Sequence, residues 1–238
     1  WNWKAGGTGV SNTNGSITST VSANADAGFS IGTYSGSGAV ATVGHGLSVA
    51  PEMLIVKCKS ASGADWKVQH IGMSAADKVM YLNSYMAENT ESDKFGAYPT
   101  TTTFPLNGSH SSVNGSGQSY VFYSFHSVEG YSKVGSYTGN GSSDGTFVYT
   151  SFKPKYVMIK SSTLTEQWNI LDSERGAYNV IGEVLLADSS AAEVDSNRID
   201  FTSNGFKIRA AFDNINNNGA TFIYLAFAEV PFKFSNAR

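Results

Sequence analysis

Two carboxylates lie close enough in the sequence to suggest hydrolysis. Asp172 and Glu174 stand two positions apart in ILDSERGAYN, so both could share one face of a strand. Glycoside hydrolysis requires two carboxyl groups that face one cleft. An internal repeat, however, aligns Asp172 with His70, which suits neither a shared catalytic role nor a shared metal role. The alternative is that Asp172 caps a turn by accepting backbone N–H groups. We therefore predict that the protein is not an enzyme.

The other reactive side chains show no catalytic or metal-binding spacing. The single cysteine, Cys58, lies in the apolar segment MLIVKCK, where we expect it to act as a small hydrophobic residue. The turns TGNGSSDG and DNINNN offer oxygen atoms that could bind Ca²⁺, although such turns are usually empty. We expect no cofactor, and calcium is the alternative left open. The four histidines are too far apart in the sequence to show metal-ligand spacing: His45, His70, His110 and His126. We predict that His45, in the segment GHGL, has a role in a turn.

One aromatic loop is the candidate binding site. The segment NSYMAENTESDKFGAYPTTT holds Tyr85, Asp93, Phe95 and Tyr98, and its repeat partner DSSAAEVDSNRIDFTSN lacks those loop aromatics. Sugars dock on exposed rings with polar neighbours, and loops on a rigid scaffold commonly carry recognition. The loop therefore predicts glycan or partner binding. The alternative is that its three rings pack against a neighbouring subunit.

The chain repeats itself across about a hundred residues. Pro51 aligns with Pro154 at an offset of 103, and Phe104 aligns with Phe206 at an offset of 102. Order, spacing and chemical type agree in four blocks, which indicates a duplication. Two tryptophans also match, and we predict that both are buried core residues rather than a sugar platform: Trp66 and Trp168.

Each repeat has the pattern of β-structure. GFKIR and RIDFTS alternate apolar and polar residues, whereas YVFYSF and TFIYLAF are apolar on both faces and predict central strands. Two segments, SAADKVMYL and AYNVIGEVLL, each suggest a single helical turn. We predict an all-β fold of two tandem, internally duplicated β-sandwich units, jelly-roll-like, with an extended N-terminal arm. The boundaries are an arm at 1–28, a first unit at 29–130 and a second unit at 131–238.

The arm carries apolar residues that it cannot bury alone. We expect a neighbouring unit or chain to cover them, which favours a homo-oligomer. The residues concerned are Trp1, Trp3, Val10, Ile17 and Val21.

Charge and the length of apolar runs argue against two classes of partner, nucleic acids and membranes. Charged residues make up 15% of the chain, the net charge is −3 and no basic run occurs, so we expect no nucleic-acid binding. No apolar run approaches the ~20 residues of a membrane span, so we expect no membrane insertion. Because the chain begins with Trp rather than Met, we expect it to be a fragment or a cleaved product.

Several long motifs resemble a known group of viral proteins. VGHGLSVAPEMLIVK, GYSKVGSYTGNGSSDGTFVYTSFKPKYVMIK and YLAFAEVPFKFS are similar to a C-terminal domain of structural proteins from tailed phages, especially marine ones. Those proteins are usually named as tail fibres or tail-associated proteins, and many carry a concanavalin-like lectin domain upstream. The group has no established catalytic residues.

The resemblance implies a virion protein of the tail appendage, made in the host cytoplasm and acting outside the cell. It also implies a homotrimer that contacts other virion proteins and binds a host cell-surface saccharide as a receptor. Two alternatives remain. One is a purely structural fibre joint or capsid decoration domain, and the other is a polysaccharide depolymerase.

Overall fold

The computed structural model describes residues 2–229, so expectations for Trp1 and for residues 230–238 lie outside the described part. The chain divides into two compact units. Within the described residues, unit 1 comprises 2–81 and 88–126, and unit 2 comprises 82–87 and 127–229. Both units are almost entirely β-structure, as the alternating sequence patterns predict.

Unit 1 contains ten strands. They are β1 (Val10–Asn12), β2 (Ser19–Asn24), β3 (Phe29–Ser35), β4 (Ala41–Gly44), β5 (Met53–Cys58), β6 (Trp66–His70), β7 (Lys78–Tyr81), β8 (Asn89–Thr90), β9 (Thr103–Leu106) and β10 (Ser119–Phe125). Eight of them form one antiparallel sheet in the order β1-β2-β3-β10-β5-β6-β7-β8, and β4 pairs with β9 in a second sheet.

Unit 2 contains eight strands and a short helix. They are β11 (Ser132–Thr138), β12 (Phe147–Tyr149), β13 (Pro154–Ser161), β14 (Asn169–Asp172), β15 (Ile181–Leu186), β16 (Val194–Thr202), β17 (Gly205–Ile208), α1 (Asp213–Asn216) and β18 (Thr221–Ala228). The strands form one antiparallel sheet in the order β11-β18-β13-β14-β15-β16-β17-β12.

The two units have the same strand order. From β3 onward, unit 1 follows β3-β10-β5-β6-β7-β8 and then β9-β4, and unit 2 follows the corresponding order without a break. The difference is that β16 pairs with β17, whereas β8 and β9 lie in separate sheets. The predicted duplication is therefore confirmed, and the strands predicted to be central, β10 and β18, each lie between two neighbours.

Each unit buries its own core between two layers. In unit 1, Phe104 from the small sheet packs with Phe122 from the large one, with ring centroids 5.1 Å apart. In unit 2, the sheet curls so that residues from β13 and from β17 share one core, including Val157 and Phe206. This two-layer packing is the β-sandwich arrangement that the sequence predicts.

The N-terminal arm belongs to the sheet of unit 1. Strand β1 pairs with β2, and β2 pairs with β3 along six residues. Val21 is buried in the core, and Ile17 packs against it. Trp3 packs on Phe29 and Phe125. The arm thus buries apolar residues against its own unit.

The two predicted helical turns are wrong. SAADKVMYL contributes β7 and AYNVIGEVLL contributes β15, because both segments pair with neighbouring strands and place Val79, Ile181 and Val184 in the cores. The helix within residues 2–229 is the single turn α1. No helix in that described range is long and apolar enough to span a membrane.

Candidate functional site

The predicted aromatic loop is not an open aromatic surface. Phe95 is only 1% exposed and belongs to the core of unit 1. Tyr98 is half-buried, and its hydroxyl lies 3.5 Å from the Met73 carbonyl oxygen. Tyr85 is exposed, but it lies in the segment 82–87, which groups with unit 2. Phe95 therefore stabilises the fold and cannot present its ring to a ligand.

Asp93 takes part in a partly buried ionic cluster. It accepts a hydrogen bond from Lys94 Nζ at 2.7 Å. Glu91 lies 3.6 Å from the same ammonium and accepts a bond from Lys67 Nζ at 3.2 Å. Burial opposes ionisation of Glu91, but the Tyr81 hydroxyl and the two ammonium groups outweigh it and lower the pKa of Glu91. Because each buried cation has a carboxylate partner, the cluster fixes the loop in place.

The two matching tryptophans differ in burial. Trp168 is 1% exposed, as predicted. Trp66 is only half-buried, because it lies on the sheet face that turns away from the core and stacks on Tyr123 with a centroid distance of 6.3 Å. The prediction of a twin core pair is therefore wrong for Trp66.

Asp172 stabilises a turn, and Glu174 forms an ion pair. Asp172 Oδ1 accepts the N–H groups of Glu174 and Arg175 at 3.1 and 3.0 Å. Asp172 Oδ2 pairs with Arg175 Nη2 at 2.6 Å, and Glu174 forms an ion pair with Lys155. The turn-capping alternative for Asp172 is confirmed. His45 also has the predicted turn role, because its Nδ1 accepts the Leu47 N–H at 3.1 Å.

In the turns suggested for calcium, side-chain oxygen atoms accept hydrogen bonds from backbone N–H groups. Asn140 Oδ1 accepts the Ser142 N–H, and Asn216 Oδ1 accepts the Asn140 N–H, both at 3.0 Å. Across residues 2–229, no group of three or more His, Cys, Asp or Glu side chains is arranged to hold a metal ion.

An exposed aromatic face lies on β12 of unit 2. Phe147 and Tyr149 are 45% and 62% exposed, whereas Val148 between them is buried in the core. The strand alternates in this way because it is an edge strand with one face on the core and the other in solvent. Phe147 and Tyr149 thus project side by side from the outer face of a rigid sheet.

The neighbouring strands extend this face in two rows. The first row runs from Phe147 through Lys207 to Asp200. The second runs from Tyr149 through Gly205 to Thr202. A Cβ on Gly205 would lie 3.0 Å from Phe147 Cζ and 2.1 Å from the Val148 carbonyl oxygen. Glycine is therefore required at position 205, and its lack of a side chain leaves room for the Phe147 ring to lie along the sheet. We call these six residues the aromatic face.

Charged groups flank the rings. Lys207 Nζ pairs with Asp144 Oδ1 at 2.7 Å, and this hydrogen bond lowers the pKa of Asp144. Arg209 Nε donates to Asp200 Oδ2, while Asp200 Oδ1 is buried without a hydrogen-bond partner in the described structure. The face therefore combines exposed rings with donors and acceptors held by ion pairs on adjacent strands.

The corresponding face of unit 1 is covered by the arm. Val43 pairs with Phe104, and Val148 pairs with Phe206. Because Phe104 and Phe206 are repeat partners, Val43 and Val148 occupy equivalent positions. The same strand pairing places Thr42 at the position equivalent to Phe147 and Gly44 at the position equivalent to Tyr149. In unit 1 these small residues lie beneath the arm.

The arm covers both the edge and the outer face of β4. The Ile17 N–H donates to the Thr42 carbonyl oxygen at 3.0 Å, and Ile17 forms a parallel bridge with Val43. A Cβ on Gly44 would lie 2.0 Å from Asn12 Oδ1. Within residues 2–229, no segment pairs with the equivalent edge of β12. The place that the arm fills in unit 1 is thus open and aromatic in unit 2.

The sequence analysis missed this face although a signal was present. TFVYT alternates an exposed ring, a buried valine and a second exposed ring. An open groove of about 740 Å³ also occurs in unit 1, lined by Lys4–Gly7 and Ala23–Asp26. Because its lining contains no aromatic side chain, it is a poorer candidate for stacking a ligand.

Comparison with known proteins identifies the family but no activity. No curated protein and no solved structure shows significant similarity to this chain. One family model, described as a domain of unknown function, DUF7483, matches residues 1–231. Because the match covers nearly the whole length, the chain belongs to the DUF7483 family.

Proposed function

We propose that this chain is a glycan-recognition domain of a phage virion protein and that the aromatic face is its binding surface. The observation that carries the proposal is the contrast between the two units. The arm covers β4, whereas β12 presents Phe147 and Tyr149 to solvent. Covering exposed rings of this size with a partner is favourable, because it removes apolar surface from water.

The chemistry of the face suits a saccharide. The apolar side of a sugar ring stacks on an aromatic side chain, and its hydroxyl groups need donors and acceptors nearby. Lys207 and Arg209 supply donors, and Asp144 and the Thr202 hydroxyl supply acceptors. Because three paired strands hold both rings, Lys207 and Thr202, little conformational entropy is lost there when a ligand binds.

The resemblance to tailed-phage structural proteins supports a host-surface glycan as the ligand and a tail appendage as the location. We further propose that the protein acts as a homo-oligomer, with a trimer as the expected form, alongside other virion proteins. An open, shallow face binds weakly, and linked copies raise avidity without new contacts. Val21 is buried and Ile17 packs against the core of unit 1, so these two residues give this part of the proposal no support, whereas Val10 is 65% exposed.

Glycan binding by single and double variants tests the proposal. The purified protein is applied to an array of bacterial surface glycans, and hits are measured by titration calorimetry. Phe147→Ala and Tyr149→Ala should each weaken binding by about tenfold, because stacking contributes roughly 1 kcal/mol or more per ring. Tyr178→Ala removes a still more exposed ring elsewhere in unit 2 and should leave binding unchanged.

Two outcomes contradict the proposal. One is that no glycan binds at millimolar concentration, which would favour a purely structural fibre joint or capsid decoration domain. The other is that binding survives in the Phe147→Ala, Tyr149→Ala double variant with the fold intact by circular dichroism. Release of reducing ends from a bound polysaccharide would instead favour a depolymerase.

A further inference from the structure

Arg198 is a nearly buried cation without a counter-ion. Its side chain is 9% exposed, and no carboxylate among residues 2–229 lies within ion-pair distance of it. The guanidinium lies 4.5 Å from the ring of Phe212, which is itself 46% exposed. A buried charge is costly unless it is paired and hydrogen-bonded.

Neutral groups satisfy only part of the guanidinium. Arg198 Nη1 donates to Asn214 Oδ1 at 2.6 Å, and Nε donates to Ser196 Oγ at 2.8 Å. A guanidinium has five N–H donors, so three have no acceptor in the described structure. Burial lowers the pKa of Arg198, and no nearby charge offsets it. The site therefore has three N–H donors without an acceptor and a positive charge that no neighbouring group among residues 2–229 neutralises.

Unit 1 neutralises its cations at the matching position. The Arg209 N–H bonds the Arg198 carbonyl oxygen, and its repeat partner Asn107 bonds the Lys94 carbonyl oxygen in the same way, so Arg198 stands where unit 1 has Lys94. In unit 1, Glu91 lies between Lys67 and Lys94 and pairs with both. The duplicated scaffold thus holds a carboxylate beside buried cations in unit 1, whereas unit 2 has kept a cation and provides no carboxylate of its own.

We propose that Arg198 and Phe212 form a subsite for the oxyanion of an acidic saccharide, either a carboxylate or a sulfate ester. The anion accepts the unused guanidinium N–H groups, and the exposed Phe212 ring packs against the sugar that carries it. This inference rests on the proposed glycan-binding function and names its ligand class. An external carboxylate or sulfate takes the part that Glu91 plays in unit 1.

The backbone of Arg198 lies next to the aromatic face on the same strands. The Arg209 N–H donates to the Arg198 carbonyl oxygen at 2.8 Å, so Arg198 lies two ladder positions beyond the row of Lys207 and Asp200. Two residues of a strand span roughly 7 Å. The backbone of Arg198 is therefore roughly 7 Å from that of Asp200, while its guanidinium is held by Asn214, whose amide bonds the fully buried Asn169.

The subsite can be tested separately from the aromatic face. Sodium galacturonate and sodium sulfate are titrated into the full chain at constant ionic strength, and the Arg198 Nε–H signal is followed by NMR. We expect a saturable shift with one or both anions, and the stronger response identifies carboxylate or sulfate as the preferred group. No saturable shift with either anion overturns the inference, whatever the aromatic face binds.

Binding of oligosaccharides then distinguishes the two sites. Oligogalacturonate, or a sulfated oligomer if sulfate is preferred, is compared with a neutral oligosaccharide that the aromatic face binds. Arg198→Met should weaken the acidic ligand about tenfold or more, because a charge-assisted bond is lost, and leave the neutral ligand within about twofold. Lys133→Met removes an exposed charge on β11 and should change neither affinity.

Equal affinity of Arg198→Met and the unaltered protein for the acidic ligand, with the fold intact, overturns the inference. If neutral glycans fail to bind while the Arg198 signal still shifts, the proposed function of the aromatic face fails and the anion subsite stands. Should Arg198→Met not fold, Phe212→Ala provides the same comparison, since it keeps the Arg198 side chain and its bonds to Ser196 and Asn214.

Discussion

Asn114 and Asn216 lie 102 positions apart and make equivalent bonds in their own units. Asn114 Nδ2 donates to the carbonyl oxygens of Ala39 at 2.6 Å and Gly108 at 2.8 Å, and its Oδ1 accepts the Ser37 N–H at 2.8 Å. The side chain is fully buried. One amide thus ties together two segments of chain that have no strand partner there.

Asn216 repeats this arrangement in unit 2. Its Nδ2 donates to the carbonyl oxygens of Ser142 at 2.7 Å and Ala210 at 3.0 Å, and its Oδ1 accepts the Asn140 N–H. The duplication has therefore preserved a buried polar network as well as the strand order.

Replacing either asparagine by alanine should destabilise its unit by about 3 kcal/mol, because buried donors and acceptors lose their partners. Denaturant unfolding measures the loss, and the exposed Asn218→Ala serves as the control. A loss below about 1 kcal/mol in both variants would mean that water replaces the side chain at these sites.

The duplicated scaffold could be predicted from the sequence because it depends on local pattern. Alternation identified strands such as β17, and continuous apolar runs identified the central strands β10 and β18. The binding surface could not be predicted in the same way, because exposure depends on what covers a strand. Phe95 lies in a polar segment yet is buried, whereas Phe147 lies in a strand yet is exposed.

The two tryptophans provide a matched pair for stability. Trp168→Ala should cost about 3–5 kcal/mol, because it leaves a cavity in a core that cannot collapse fully. Trp66→Ala should cost about 1 kcal/mol, because only its stacking on Tyr123 and a partly covered surface are lost. Equal losses in urea unfolding would show that Trp66 is as buried as its repeat partner.

His45 should make stability depend on pH. Burial is the main cause that lowers its pKa to about 4; the bond to the Thr100 carbonyl oxygen opposes the shift, and the charge of His126 favours it. Since an unfolded histidine has a pKa near 6.5, the folded state keeps His45 neutral where the unfolded state takes up a proton. Its contribution is complete above about pH 6.5 and falls by about 3 kcal/mol as the pH drops to 4.

His45→Asn isolates this effect. Asparagine can still accept the Leu47 N–H two residues on, but it does not titrate. The difference in unfolding free energy between the two proteins should narrow between pH 6.5 and 4. Parallel pH profiles would assign the acid sensitivity to carboxylates instead.

Gly15 should determine whether the arm stays on β4. A Cβ at this position would lie 2.4 Å from the Thr42 carbonyl oxygen and 2.8 Å from Val43 Cα, and a backbone cannot move aside as a side chain can. Gly15→Ala should therefore displace the arm, break the bond from the Ile17 N–H to Thr42 and expose the edge of β4. Hydrogen exchange at the Ile17 amide should then speed up by about tenfold or more, since protection there reflects local opening.

Thr13→Ala is the control, because Thr13 is an exposed residue of the same arm and its loss should leave exchange at Ile17 unchanged. If Gly15→Ala also leaves exchange at Ile17 unchanged, the pairing of β1 and β2 alone holds the arm in place, and the contact with β4 does not stabilise it. If the arm does come away, unit 1 gains an open edge strand like β12. That edge would carry Thr42 and Gly44 in place of the two rings, so it should bind no glycan, because the rings and not the open edge provide the stacking surface.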